Sequence, residues 1–262
     1  MFSTDRLLPL LVAGLALLVG PVLAQPQPES TRVVVRAASN DAKLLHDGVG
    51  GALIRIVDVE TGEVLAEGVQ RGSSGDTEQI MRQPRERGAA VYDTEGAAKF
   101  ETTLMLTRPT TVRVVAMGPR DYPQARKRTS TTMTLLPGEH MTGNGIVLPL
   151  HGFIVEVLRP TTSSAATGET IDVRARVRMM CGCPTEPGGL WDANRYTIQA
   201  KLVGPDGGVV ATAPLSYTGT TSEYEGTITV PSEGATQLRV TSVDAERANA
   251  GTASVSVSMA SE

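Results

Sequence analysis

From Thr31 onward the chain is a succession of short runs rich in Val, Ile and Thr, each closed by Gly, Pro, Asp or Asn. Almost nowhere do apolar residues recur at the helical spacing of three and four. A run with period two puts one face in a core and the other in solvent. Runs this short must therefore be stacked into sheets and joined by turns. In the first half they fall at 31–38, 52–59, 64–69, 97–106, 110–118, 129–136 and 145–150. In the second half they fall at 152–158, 171–180, 194–203, 209–217, 223–230, 238–244 and 252–259. Glu60-Thr61-Gly62-Glu63, Asp93-Thr94-Glu95-Gly96 and Gly204-Pro205-Asp206-Gly207-Gly208 read as turns between them. The fold class is all-β: two tandem antiparallel β-sandwich domains, at 31–150 and 151–262.

The residues before the first run are of another kind. Arg6 precedes an apolar stretch, Leu7 to Val19, and Val22-Leu23-Ala24 offers the small side chains of a cleavage site. Residues 1–24 are expected to be a signal peptide and 25–30 a short disordered leader. No Cys follows the apolar stretch, and no later stretch approaches the ~20 apolar residues of a membrane helix. The mature chain is expected to be soluble, periplasmic or secreted, with no transmembrane segment.

In the first half, Gly51-Ala52-Leu53-Ile54-Arg55-Ile56-Val57-Asp58 leads through Glu60-Thr61-Gly62-Glu63 to Val64-Leu65. Asp93-Thr94-Glu95-Gly96 precedes Phe100, and the run Thr111-Val112-Arg113-Val114-Val115-Ala116 follows. Together these resemble the carboxypeptidase regulatory-like, or transthyretin-like, domain family over about residues 32–150. The resemblance implies a sandwich and an accessory, non-catalytic module. The long stretch 70–95 departs from the family's usual short connection. In the second half, Glu225-Gly226-Thr227-Ile228-Thr229-Val230-Pro231 followed by Gly234 resembles the late strands of bacterial immunoglobulin-like domains.

Strand direction predicts where the loops meet. If strands alternate, the connections 39–51, 70–96 and 119–128 lie at the joint between the halves. The second half's 181–193, 218–222 and 245–250 lie there too. Leu150-His151-Gly152 leaves no room for a tether, so the joint is expected to be a tight elbow.

The only two cysteines, Cys181 and Cys183, fall in that seam, inside Met179-Met180-Cys181-Gly182-Cys183-Pro184. In an exported chain a disulfide is the leading reading. Thiolates and thioethers also suit Cu(I). A copper site would draw on Cys181, Cys183 and Met180, with His46 and His151 from neighbouring loops, whereas His140 falls in a hairpin at the far end. Met179 shares a face with Val173, Ala175 and Val177 and is assigned to the core. Thiol–disulfide exchange is a third reading, though it usually draws on a helix N-terminus.

Other signals are sparse. A net charge of −4 argues against nucleic acid. Aromatics at 3% argue against stacking platforms. Arg126-Lys127-Arg128 is a basic loop suited to an acidic partner, beside further positive charge at Arg82, Arg85 and Arg87. Trp191, the only Trp, is either a cap on the sandwich end or an exposed hot spot. No phosphate-binding loop or nucleophile elbow is present. The functional expectation is an exported, non-enzymatic accessory or binding protein of the cell envelope, with no cofactor and with another envelope protein as partner. It would recognise that partner at the seam.

Overall fold

The computed structural model describes residues 27–161, 163–232 and 234–259. The expected signal peptide lies outside the described residues. Each predicted run forms a strand. The first half holds β1 (Glu29–Ser39), β2 (Leu53–Asp58), β3 (Val64–Val69), β4 (Phe100–Leu106), β5 (Thr110–Gly118), β6 (Lys127–Leu135) and β7 (Met141–Leu150). The second holds β8 (Phe153–Arg159), β9 (Ser163–Ala165), β10 (Thr170–Met179), β11 (Thr197–Val203), β12 (Val209–Pro214), β13 (Ser216–Tyr217), β14 (Glu223–Thr229), β15 (Gln237–Asp244) and β16 (Asn249–Met259). The first strand starts earlier than expected. Glu29 and Ser30, assigned to the disordered leader, pair with Leu106 and Met105.

The first half stacks a three-stranded sheet, β4-β1-β7, on a four-stranded one, β3-β2-β5-β6. The second half stacks β13-β14-β10-β8 on β12-β11-β15-β16-β9. The second half has the immunoglobulin order, with β14-β10-β8 as strands E, B and A and β12-β11-β15-β16 as C′, C, F and G. Two pairings correct the expectation of purely antiparallel sheets: β1 with β7, and β16 with β9, are parallel. Each pair joins an early strand to the last strand of its sandwich. Both members run the same way relative to the seam, so adjacency makes them parallel.

Alternation explains most of the burial. On β10, Ile171, Val173, Ala175, Val177 and Met179 are buried, while Arg174, Arg176 and Arg178 turn outward. There they meet carboxylates across the strands: Arg174 and Arg176 each reach Glu223 at 2.9 Å, and Arg178 reaches Glu156 at 2.8 Å. Partly exposed pairs of this kind stabilise by at most about 1 kcal/mol each. They fix register more than they hold the fold.

On β1 alternation fails. Val34, Arg36 and Ala38 lie on the outer face of their sheet, yet all are buried. The cause is the long connection 70–99, which folds back over β1 and packs Tyr92, Ala97 and Ala98 against Ala38 and Leu44. Arg36 is 1% exposed. Its guanidinium donates to the carbonyls of Ala97 and Ala98 and pairs with Asp93 at 2.7 Å. A buried charge survives only when paired and hydrogen-bonded in this way.

Candidate functional site

The seam is built from residues that cross it. Ile154 and Met180 belong to the second half but sit fully buried in the core of the first. Ala42 is buried in the core of the second half, and Met81 packs against it; both come from the first. Burying an Ile or Met is worth about 1.5–3 kcal/mol, so each half is completed by the other. Polar contacts close the rest. The Asn40 side chain donates to the Arg247 carbonyl at 2.9 Å. The Asn249 side chain donates to the Asn40 carbonyl at 3.4 Å. Arg247 pairs with Asp41. On another side, Arg178 Nη2 donates to Tyr122 Oη at 2.8 Å and lies over the Tyr122 ring. The joint is a tight elbow.

The cysteine turn sits inside this seam. β10 ends at Met179, whose N–H donates to the Cys183 carbonyl at 3.0 Å, while Gly182 N–H donates to the Met179 carbonyl at 2.8 Å. Gly182 has φ of 76°, the left-handed region that glycine adopts without strain. A Cβ there would also meet Val49 Cγ1 at 3.0 Å. Cys181 and Cys183, 5.3 Å apart at Cα, are joined as a disulfide. Both are buried in the core of the second half.

His46 closes over this turn. Its Nδ1 accepts from Gly48 N–H at 3.0 Å, capping the helical turn Asp47–Val49. Burial, then the nearby Lys43 charge, holds its pKa below the ordinary histidine value; Asp47 and a hydrogen bond to the Cys181 backbone oppose this. Trp191 is 7% exposed, and its Nε1 donates to the Asp41 carbonyl at 3.0 Å. The partner its ring meets is the other half of its own chain, which corrects its reading as an exposed hot spot.

The ligand set expected for copper does not assemble. Met180 turns into the first half's core, away from the sulfurs. His151 lies on the opposite side of the seam, its Nδ1 at 3.2 Å from the Arg247 carbonyl. Only His46 stands by the cysteines. Among the described residues no group of three or more His, Cys, Asp or Glu side chains is placed to hold a metal. Arg126, Lys127 and Arg128 are exposed where β6 leaves the seam, and Arg126 donates to the Arg120 carbonyl at 2.8 Å. Arg85, from the other basic loop, lies over the Tyr92 ring.

Clefts open on several sides of the joint. One of about 770 Å³ is lined by Ala38, Ala42, Met81, Tyr92, His151 and Arg247. Another, of about 270 Å³, runs between the cysteine turn, Trp191 and Lys43, His46, Ser74 and Thr77. Sequence reasoning missed Arg178, Asn40, Asn249 and Lys43. The signal for Arg178 was its place as the last arginine before the cysteines. The isolated Asn and Lys residues carried none.

No family model and no curated protein matches the chain. Among solved structures it is similar to Dpr2 Ig1-Ig2, in a complex with DIP-Theta Ig1-Ig3, at 10% identity and TM-score 0.29, covering 88% of this chain and 100% of that one. It is similar to the ICAM-5 D1-D4 ectodomain fragment at 13% identity and TM-score 0.27, covering 90% and 51%. It is similar to titin A168169 at 10% identity and TM-score 0.26, covering 90% and 100%. Scores of this size carry no argument, and the fold rests on the strand pairing above. No helix among the described residues is long and apolar enough to cross a membrane.

Proposed function

We infer that this chain is an exported, non-catalytic accessory or binding protein of the cell envelope, and that its recognition surface is the seam. One observation carries the reading. The long connections of both halves converge on the seam and are locked there by exchanged core residues, with clefts between them. Loops held by a rigid scaffold are where recognition concentrates. The resemblance of the first half to carboxypeptidase regulatory-like modules, and the apolar segment at Leu7 to Val19, support an accessory role outside the cytoplasm. A copper-handling role would need the disulfide reduced first, and it would then gather the two thiolates and His46 alone.

A photo-crosslinking residue tests the reading. It is placed at Leu190, which is exposed on the rim of the seam, and in parallel at Glu139, in the turn between β6 and β7 at the opposite end. Partner crosslinks in the native envelope are expected from Leu190. Crosslinks from Glu139 alone would reject the seam.

A further inference from the structure

An open sheet ends in edge strands, whose unpaired backbone groups invite another chain, and most edges of this molecule are blocked. β3 and β12 are bulged, at Ile56/Val57 and Leu202/Val203 of their neighbours, and β12 ends in Pro214. β7 loses register with β1 between Val33 and Val35 and carries Pro149. β8 has Gln124 donating to its Val155 carbonyl at 3.2 Å. β4 is tied at its start by the Arg71–Lys99 bridge and carries the charge of Glu101. β9 and β13 are only three and two residues long. β6 has none of these defences. Its nine residues pair with β5 in unbroken register, from Leu135 opposite Thr110 to Lys127 opposite Gly118. Alternate residues of such a ladder turn their N–H and C=O groups away from the neighbour. Among the described residues, nothing bonds to those groups of β6. Thr129, Thr131, Thr132 and Thr134 favour the extended chain. Thr131 faces the core side, opposite the buried Val114, yet it is exposed. The three-stranded sheet therefore does not reach over this edge.

The two ends of this edge carry opposite charge. Arg126, Lys127 and Arg128 stand exposed at the start of β6. Glu139 is exposed in the turn that follows its end, and the Glu29 carboxylate lies against Gly138 of the same turn. The ion pairs of the described residues involve none of these five side chains. We propose that β6 pairs antiparallel with β6 of a second copy of this chain, about a two-fold axis at Thr131, joining the two four-stranded sheets into one. Full overlap of the strands sets Lys127 opposite Leu135 and Arg128 opposite Thr134. Each basic start then meets the acidic turn of the other copy. Each Arg128 stands about 20 Å from its own copy, well beyond a Debye length of about 8 Å, so like charges do not oppose the pairing. A two-fold axis makes the contact self-complementary and closes the assembly at two chains. The basic loop, which the seam leaves unpaired, gains its counter-charge in this way.

A single strand pair buries less than the roughly 1,000 Å² of a stable complex, so the dimer is a weak one, with Kd of about 10–500 µM. Sedimentation equilibrium over about 1 µM to 1 mM is expected to show monomer and dimer in exchange, and monomer alone at the upper end overturns the proposal. Thr131→Cys, at the axis, should be joined to its copy by a short bis-maleimide. Thr134→Cys, whose copy lies about 20 Å away, should not. Thr103→Cys, at the middle of the β4 edge, probes the rival strand. Crosslinks at Thr134 or Thr103 without any at Thr131 put the contact elsewhere and overturn the pairing. Glu139→Lys should weaken the dimer about tenfold, because symmetry repeats each charge contact, and added salt should act in the same direction. A Kd that neither changes overturns the charge-matched register. All these side chains but Thr103 lie at the exposed edge or its turn, and an unfolding midpoint equal to that of the unsubstituted protein checks that each variant folds. In the native envelope, self-crosslinks from Glu139 at twice the chain's mass belong to this edge. Crosslinks from Leu190 to another protein report the seam, so either reading can fail while the other stands.

Discussion

The two ends of the molecule are built differently. At the end away from the seam, strands turn over in short connections such as 59–63, 107–109, 136–140 and 204–208, and apolar side chains such as Val59, Val64, Leu136 and Val209 stand exposed. At the seam the connections 40–52, 70–99 and 180–196 are longer, beside the short 218–222 and 245–248. The long ones carry the disulfide and Lys43, and the halves trade core residues there. A sandwich needs turns only to reverse the chain. Connections longer and more polar than that, fixed by packing, are the part of the fold that stability alone does not require.

The largest effect should come from the residues that cross over. Met180→Ala removes a fully buried side chain from the other half's core and is expected to cost about 2–5 kcal/mol. Amide exchange should quicken in β1 and β5 of the first half, although the substitution lies in the second. Faster exchange confined to β10 and β14 would show that the seam does not couple the halves.

Arg36→Met separates a structural cation from a half-buried one. It strands the Ala97 and Ala98 carbonyls and the half-exposed Asp93, at a cost of about 3 kcal/mol in urea unfolding. Lys43→Met, which leaves neutral acceptors near solvent, should cost about 1 kcal/mol or less. Equal costs would erase the contrast between the two cations.

Cys181→Ser with Cys183→Ser should cost about 1–2 kcal/mol, because a loop this short restrains the unfolded chain little. Intact mass after alkylation, with and without reductant, checks the pairing. Two free thiols in the unreduced protein would contradict the structure.

His46 gives the smallest effect, and its sign follows from its surroundings. Its folded pKa lies below its unfolded value, so on acidification the unfolded chain takes up the proton first. Stability is full above an unfolded pKa of 6.5 and declines as pH falls through that value toward the folded one. Protonation also removes the Nδ1 acceptor used by Gly48 N–H. His46→Gln should flatten that part of the decline as pH falls below about 6.5. An unchanged slope would place His46 in solvent.

Much of the fold was legible because it rests on local pattern. Period-two alternation with turn residues located all the main strands, and counting their directions brought Cys181, His46 and Trp191 to one end. The short β9 escaped, since three residues hold too little pattern to read, and the run 209–217 gave no sign that it splits into β12 and β13 on different sheets. The strap over β1 escaped for another reason. Val33-Val34-Val35 was a continuous apolar run, the mark of a strand buried on both faces, but nothing local said that residues 70–99 would cover the second face. The candidate site was legible in its sulfur, His46 and Trp191, but not in what surrounds them. Met180 and Trp191 stood in the right turn, but whether each faced solvent, a metal or the opposite core depended on packing between the halves. Lys43 and Asn249 depend on partners distant in sequence, which no spacing records.

The central claim is that the two sandwiches share one fixed seam, and residual dipolar couplings of backbone amides from both halves test it most directly. One alignment tensor should fit β2, β5, β10 and β15 together. Two tensors of different magnitude would mean that the halves move independently, and the seam would then be a hinge and not a recognition surface.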